Sequence, residues 1–256
     1  MLALIPMAGA GSRFVEAGYK IPKPLLTVLN EPMVISAAKA LPSSNRYAFI
    51  VRDFQVSEYN IDVHLRKYYP DAEVIVLDHL TEGQAVTCLK GKNMFNPEEE
   101  LLIGASDNGM IYSLEAFNEV KKDADAIVFT FRNNPAVDAK PQAYGWVRVK
   151  ENNVVVKMSV KVPISKSPQN DHAVVGAFWF RKSAYFIEAA ERMINMNRRI
   201  NNEFYVDECI NDLLELGYKV KVFEIEHYVC WGTPNDYETF NYWEAYYDKM
   251  RSTGNF

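Results

Sequence analysis

Lys23 stands between two prolines in Ile21-Pro22-Lys23-Pro24-Leu25, and shortly before it the chain reads Met7-Ala8-Gly9-Ala10-Gly11-Ser12-Arg13. Gly9 and Gly11, set among small residues, let the backbone approach an anion and reach positive φ, so that successive N–H groups converge on phosphate oxygens. Arg13 adds a planar guanidinium that meets phosphate with two parallel hydrogen bonds. The prolines stiffen the chain on either side of Lys23, and a held ammonium beside a phosphate cradle suits polyphosphate charge. Each piece is common alone; in this order they predict a triphosphate site. The pattern Gly-x-x-x-x-Gly-Lys-Ser/Thr is absent, and the loop lacks the Gly-x-Gly-x-x-Gly spacing of a dinucleotide fingerprint.

A second chemical position closes the apolar run Leu101-Leu102-Ile103-Gly104-Ala105-Ser106-Asp107. In an open α/β sheet ligands gather at the carboxyl ends of strands, which places Asp107 where a hard cation bridging phosphates would bind. Further on, Thr81-Glu82-Gly83-Gln84-Ala85 is a turn entering a helix, and glycines interrupt strand-like runs at Tyr144-Gly145-Trp146 and at Val175-Gly176-Ala177. Such glycines mark a bulge or the close approach of a ligand.

The loop, together with Pro22-Lys23-Pro24-Leu25, resembles the N-terminal signature of the sugar-phosphate nucleotidyltransferases in residue type, order and spacing. The likeness extends more weakly over most of the chain. It implies transfer of a nucleotidyl group from a nucleoside triphosphate to a sugar 1-phosphate or similar phosphorylated small molecule, with release of pyrophosphate. By that resemblance Met7, Ala8, Gly9, Ala10, Gly11, Ser12, Arg13, Lys23, Gly83, Gln84, Ser106 and Asp107 bind the nucleotide, with Gly83 and Gln84 at the base. Asp107 holds Mg²⁺ and acts with Arg13 and Lys23 in catalysis. Tyr144, Gly145 and Gly176 lie against the acceptor, and Lys161 grips its phosphate.

Two positions depart from the family pattern. Val160 stands where a glutamate precedes the phosphate-gripping lysine, which unsettles the usual hexose contact and opens non-sugar phosphorylated acceptors. Cys230, in Cys230-Trp231-Gly232-Thr233, occupies the place of a second metal-binding aspartate, and a thiolate is a poor partner for Mg²⁺. Asp207 and Glu203 are alternative acids, although acids at a helix start also serve as caps or dipole partners. Two readings compete with nucleotidyl transfer: a glycosyltransferase on the same fold, against which Arg13 and Lys23 argue, and a non-catalytic nucleotide-binding module. The base and the acceptor are not legible.

The elements that must position these residues are themselves readable. From the start to Phe131, β-rich runs at 2–7, 47–51, 73–77, 101–104 and 126–131 alternate with helical patterns at 33–41, 61–68, 84–90 and 114–122. That alternation predicts an α/β fold: an open, mostly parallel, Rossmann-like sheet flanked by helices. Strand-like runs at 146–149, 154–160 and 174–180, with a polar loop over 165–172, predict a small β-rich extension on the substrate side. Helices over 184–196 and 204–216, a strand over 219–225 and a tyrosine-rich helix from Asp236 to about Met250 complete the chain. The expectation is one domain, with 1–131 as its nucleotide-binding half and 132–256 as its acceptor-binding half. The aromatics Tyr237, Phe240, Tyr242, Trp243, Tyr246 and Tyr247 are expected mainly to pack the last helix onto the body.

Composition narrows the class. The chain has 256 residues, 48% of them apolar or aromatic, enough for one sizeable core. With 28 Lys and Arg against 33 Asp and Glu, the net charge of -5 gives no overall field toward nucleic acid. Three scattered cysteines argue against a disulfide framework and for the cytoplasm. The four histidines lack metal-ligand spacing, and no apolar run is long enough to span a membrane. Hexapeptide repeats, which build a trimer in some relatives, are absent, so any homo-oligomer needs another surface.

Overall fold

The computed structural model describes residues 1–254. In chain order the first half comprises β1 (Leu2–Pro6), α1 (Ser12–Glu16), the hairpin β2 (Thr27–Val28) and β3 (Glu31–Pro32), α2 (Met33–Ala40), β4 (Arg46–Arg52), α3 (Asp53–Ser57) and α4 (Ile61–Tyr68). It continues with β5 (Glu73–Leu77), α5 (Gln84–Leu89), β6 (Leu101–Ile103), β7 (Asn108–Ile111), α6 (Leu114–Lys122) and β8 (Ala126–Phe131). Then follow α7 (Ala136–Ala139), β9 (Gly145–Lys150), β10 (Val154–Val160), β11 (His172–Phe180), α8 (Ser183–Asn195), α9 (Val206–Glu215), β12 (Val220–Glu224), β13 (His227–Cys230) and α10 (Pro234–Ser252).

Nine strands form one sheet in the order β5-β4-β1-β6-β11-β8-β12-β10-β9. The predicted α/β architecture is present, with parallel pairing from β5 to β6 and between β12 and β8. The sheet is mixed, because β11 enters antiparallel between β6 and β8. Strand β11 is also longer than its apolar run: it begins at His172, within the predicted loop, and its register with β8 shifts between Val174 and Phe178. Gly176, at φ 95°, lies in that irregularity. The first residues of β11 pair with β9, so the β-rich extension folds back onto the main sheet.

The central strands read as continuous apolar runs because both faces are buried. In β1, Leu2 and Leu4 face one core layer while Ala3 and Ile5 face the other; in β8, Ala126 and Val128 oppose Ile127 and Phe129 in the same way. Burying each large aliphatic side chain contributes roughly 1.5–3 kcal/mol. Helix α9 buries Val206, Cys209, Ile210 and Leu213, the spacing that puts one stripe of a helix on the sheet.

Phe204 is not helical, as the sequence pattern had suggested; its N–H donates to Glu82 O at 2.8 Å and its carbonyl accepts from Ala85 N–H at 2.9 Å. Helix α10 starts earlier than expected, capped by Thr233, whose Oγ1 accepts from Asp236 N–H at 3.2 Å, with Pro234 in its first turn. Only part of its aromatic series packs inward. Tyr237 and Phe240 join Phe14 and Trp231 in a small core, whereas Tyr242, Trp243, Tyr246 and Tyr247 are exposed.

Candidate active site

The carboxyl ends of β1, β4 and β6 open into a cleft of about 430 Å³. Its lining includes Met7, Gly9, Ala10, Gly11, Ser12, Arg13, Lys23 and Ser106, together with Phe54, Gln55 and Tyr59 from the segment after β4. Gly11 adopts φ 60° and leads into α1, while Gly9 has no positive φ, so only one of the two glycines uses that freedom. No hydrogen bond or ion pair among the described residues engages the exposed Arg13 guanidinium, whose donors are therefore available to an anion.

Lys23 opens a single 3-10 turn after Pro22, and its Nζ is ion-paired with Oδ2 of Asp107. The same Nζ lies 3.4 Å from the carbonyl of Gly232. Asp107 follows β6, and its own carbonyl accepts from Trp231 N–H at 2.8 Å. Three distant segments thus meet at one carboxylate, so an acid able to take a cation and an ammonium able to take a phosphate stand together.

A second cleft of about 280 Å³ adjoins the first and is lined by Ala8, Leu80, Thr81, Gly83, Gln84 and Thr87, with Pro6, Gly9, Ala10 and Glu203 shared between the two. Gly83 sits at φ 120°, and a Cβ there would fall 2.5 Å from the backbone nitrogen of Phe204. Only glycine fits this position. Thr81 and Thr87 hydroxyls both donate to Gly83 O, at 3.2 and 3.1 Å, which fixes the turn. A cleft lined by an amide side chain, threonine side chains and glycine backbone is chemically suited to a heterocyclic base.

Lys161 follows β10 at φ 63°, and its ammonium donates to the carbonyl of Ala143 and lies 5.4 Å from the centre of the Tyr205 ring. Burial pushes its pKa down, and Asp207 opposes that effect. Asp207 in turn is pushed up by burial, with Lys161 acting against the shift. A Cβ on Gly145 would fall 2.2 Å from Asp207 Oδ2, so glycine is required there for close packing. Asp207 therefore groups with Lys161 and Gly145 on the β9 and β10 side. Tyr144 is half-buried, its ring 5.8 Å from Phe131. Gly176 faces Ala105 and Asn108 instead, with a would-be Cβ 3.5 Å from Ala105 Cβ.

The Cys230 thiol is pushed up to about 12, first by burial and then by Asp107. It stays protonated at neutral pH and accepts from Gly232 N–H at 3.3 Å. Asp236 Oδ2 lies 3.6 Å away and also takes the Thr233 hydroxyl at 2.7 Å. Among the described residues no three His, Cys, Asp or Glu side chains gather as a metal cage. One carboxylate completed by substrate phosphates and water is nonetheless a normal Mg²⁺ environment, and Asp107 fits it. A neutral thiol does not.

The phosphate-loop, lysine and base-segment residues read from the sequence thus line two joined clefts, with Asp107 behind them. Tyr144, Gly145, Lys161 and Gly176 line neither cleft. Phe54, Gln55 and Tyr59 were not legible as site residues, because α3 carries no motif; buried Gln55 is placed there by its Nε2 donating to Met7 O at 3.3 Å. Nor was the position of Glu203, which reaches the clefts through the pairing of Phe204 with Glu82.

A family model described as nucleotidyl transferase matches residues 2–244. No curated protein matches by sequence. Among solved structures, the nucleoside-diphosphate-sugar pyrophosphorylase from Vibrio cholerae RC9 aligns with a TM-score of 0.76 at 20% identity, covering 93% of this chain and 98% of that one. The inositol-1-phosphate CTP transferase from T. maritima aligns at 0.72 and 14% identity, over 94% of this chain and 93% of that one. A putative glucose-1-phosphate thymidylyltransferase from Bacillus anthracis, in complex with a sucrose, aligns at 0.72 and 17% identity, over 94% of each chain. At these identities the structural likeness establishes a shared fold.

Proposed function

This chain belongs to the nucleotidyl transferase family and is a nucleotidyltransferase, and from that premise we propose that it moves the nucleotidyl group of a nucleoside triphosphate onto the phosphate of a sugar 1-phosphate or similar small molecule. A phosphate oxygen of the acceptor attacks the α-phosphorus in line, and pyrophosphate leaves. No covalent enzyme intermediate is required, since positioning and charge neutralisation supply the rate enhancement. The observation that carries this reading is the meeting of Lys23 with Asp107 beside the Gly9 to Arg13 loop.

Arg13 and Lys23 hold the triphosphate and stabilise the leaving pyrophosphate, and the smaller cleft takes the base against Gly83 and Gln84. Lys161, near Gly145 and Tyr144, holds the acceptor phosphate. Asp107 would hold Mg²⁺, which offsets phosphate charge when bound. Residues 1–131 thus carry most of the nucleotide site and the rest of the chain most of the acceptor site. Among the described residues no helix is long and apolar enough to cross a membrane. Val160 supplies no hydrogen bond where a sugar-binding acid is expected, which keeps phosphorylated polyols within the acceptor class.

The test is pyrophosphate release in Mg²⁺ across the common nucleoside triphosphates and a panel of sugar and polyol phosphates. Activity confined to one or a few pairs is expected. Release of a nucleoside diphosphate from a nucleotide-sugar donor, with no pyrophosphate from any pair, would favour glycosyl transfer instead.

A further inference from the structure

The two clefts have Pro6, Gly9, Ala10 and Glu203 in common. With the triphosphate in the larger cleft and the base in the smaller, the sugar that joins them covalently must cross this shared wall; the inference rests on that reading of the site. Pro6, Gly9 and Ala10 offer only backbone and apolar atoms, so Glu203 is the charged side chain at the crossing. It is exposed and forms no ion pair within 4 Å among the described residues. Its backbone is fixed: Ile200 N–H donates to Glu203 O and Glu203 N–H to Ile200 O, both at 2.9 Å, while the next residue is tied to Glu82 at 2.8 Å. Burial and then the neighbouring Glu203 carboxylate push the Tyr205 hydroxyl up, so the two groups lie side by side.

A carboxylate only accepts hydrogen bonds, and beside a phosphate cradle it repels the ligand unless the ligand brings donors to it. The vicinal hydroxyls of a ribose are such donors, two of them matched to two carboxylate oxygens, and acidic side chains bind ribose hydroxyls in this way in other nucleotide sites. We propose that Glu203 accepts hydrogen bonds from the ribose hydroxyls of the nucleotide and so selects ribonucleoside over 2′-deoxyribonucleoside triphosphates. Loss of the 2′-hydroxyl would leave a charged acceptor short of a partner inside a filled site, which is where discrimination of this kind is strong.

The test measures binding of ATP, CTP, GTP and UTP, and of dATP, dCTP, dGTP and dUTP, by calorimetry in Mg²⁺ without acceptor, so that no turnover occurs. The wild type, Glu203→Ala and Glu203→Gln are compared, with circular dichroism to confirm that each is folded. The tightest ribonucleotide is expected to bind at least about tenfold better than its deoxy counterpart. Glu203→Ala should bring that ratio to within about twofold, and Glu203→Gln, which keeps one accepting oxygen, should fall between. Equal affinities in the wild type, or a ratio that survives Glu203→Ala, would overturn the proposal while leaving the nucleotide site intact. Failure of every triphosphate to bind the folded wild type would instead overturn the nucleotide reading, and the proposal with it.

Discussion

Lys23 Nζ is ion-paired with Asp107 Oδ2, joining two groups 84 positions apart in sequence. Both side chains are largely withdrawn from solvent, at 15% and 28% exposure. Each therefore holds the other in a defined place; under the proposed function the ammonium would serve a polyphosphate and the carboxylate would hold its cation.

Lys23→Ala should lower kcat by about a hundredfold to a thousandfold, because charge grows on the leaving pyrophosphate in the transition state. KM for the triphosphate should change far less, since Arg13 and the loop N–H groups still bind it. Steady-state kinetics at saturating acceptor separate the two effects; a normal kcat would remove Lys23 from catalysis.

Cys230→Asp places an oxygen ligand beside Asp107, where the native thiol is neutral. The Mg²⁺ concentration for half-maximal rate should fall several-fold, on the order of threefold to tenfold. Without metal the new carboxylate faces Asp107 and Asp236, so the metal-free variant should melt a few degrees lower, about 2–5 °C. Titration of activity with Mg²⁺ and thermal melts with and without it check both halves.

Lys161 has a folded-state pKa below its ordinary value of 10.5. The ammonium is charged below that folded pKa and loses its charge as pH rises through it. Affinity for an acceptor phosphate should therefore decline with rising pH, beginning below the pH at which an ordinary lysine would titrate. The pH profile of kcat/KM for the acceptor reads this limb, and Lys161→Arg, which cannot deprotonate in that range, should move it out of view.

Gly83→Ala forces a Cβ into the Phe204 backbone at a φ that L residues rarely adopt. The cost is roughly 3 kcal/mol from strain and overpacking. Denaturant melts should register it, and triphosphate affinity should drop as the 81–85 turn separates from the Phe204 backbone. An unchanged midpoint would mean that the turn can shift at little cost.

Much of this site was legible because its chemistry is written locally. The Gly9 to Arg13 loop, Pro22-Lys23-Pro24 and the acid after Leu101–Ile103 each follow a strong local signal, and the fold brings them to one cleft. Strand limits were readable in β1, β4, β5 and β8 from apolar runs bounded by turns. The antiparallel entry of β11 between β6 and β8 was not, since pairing partners depend on long-range register rather than on composition. Glu203 was read only as an alternative metal-binding acid, and its place between the two clefts, like that of Gln55, was not legible for the same reason. Their positions follow from the backbone bonds of Glu203 to Ile200 and of Phe204 to Glu82, and from the Gln55 side-chain amide donating to Met7 O, which no local pattern encodes. The outward face of α10 was misjudged because Tyr242, Trp243 and Tyr246 are as apolar as packing residues; only the tertiary arrangement decides which aromatic stripe meets the body.

The most direct test of nucleotidyl transfer follows the phosphorus atoms. With an active triphosphate and acceptor pair, label at the α-phosphate should appear in the new diphosphate-linked product, and label at the γ-phosphate should appear only in pyrophosphate. Transfer of the γ-label to the acceptor, or retention of the α-label in a free nucleoside diphosphate, would contradict the account.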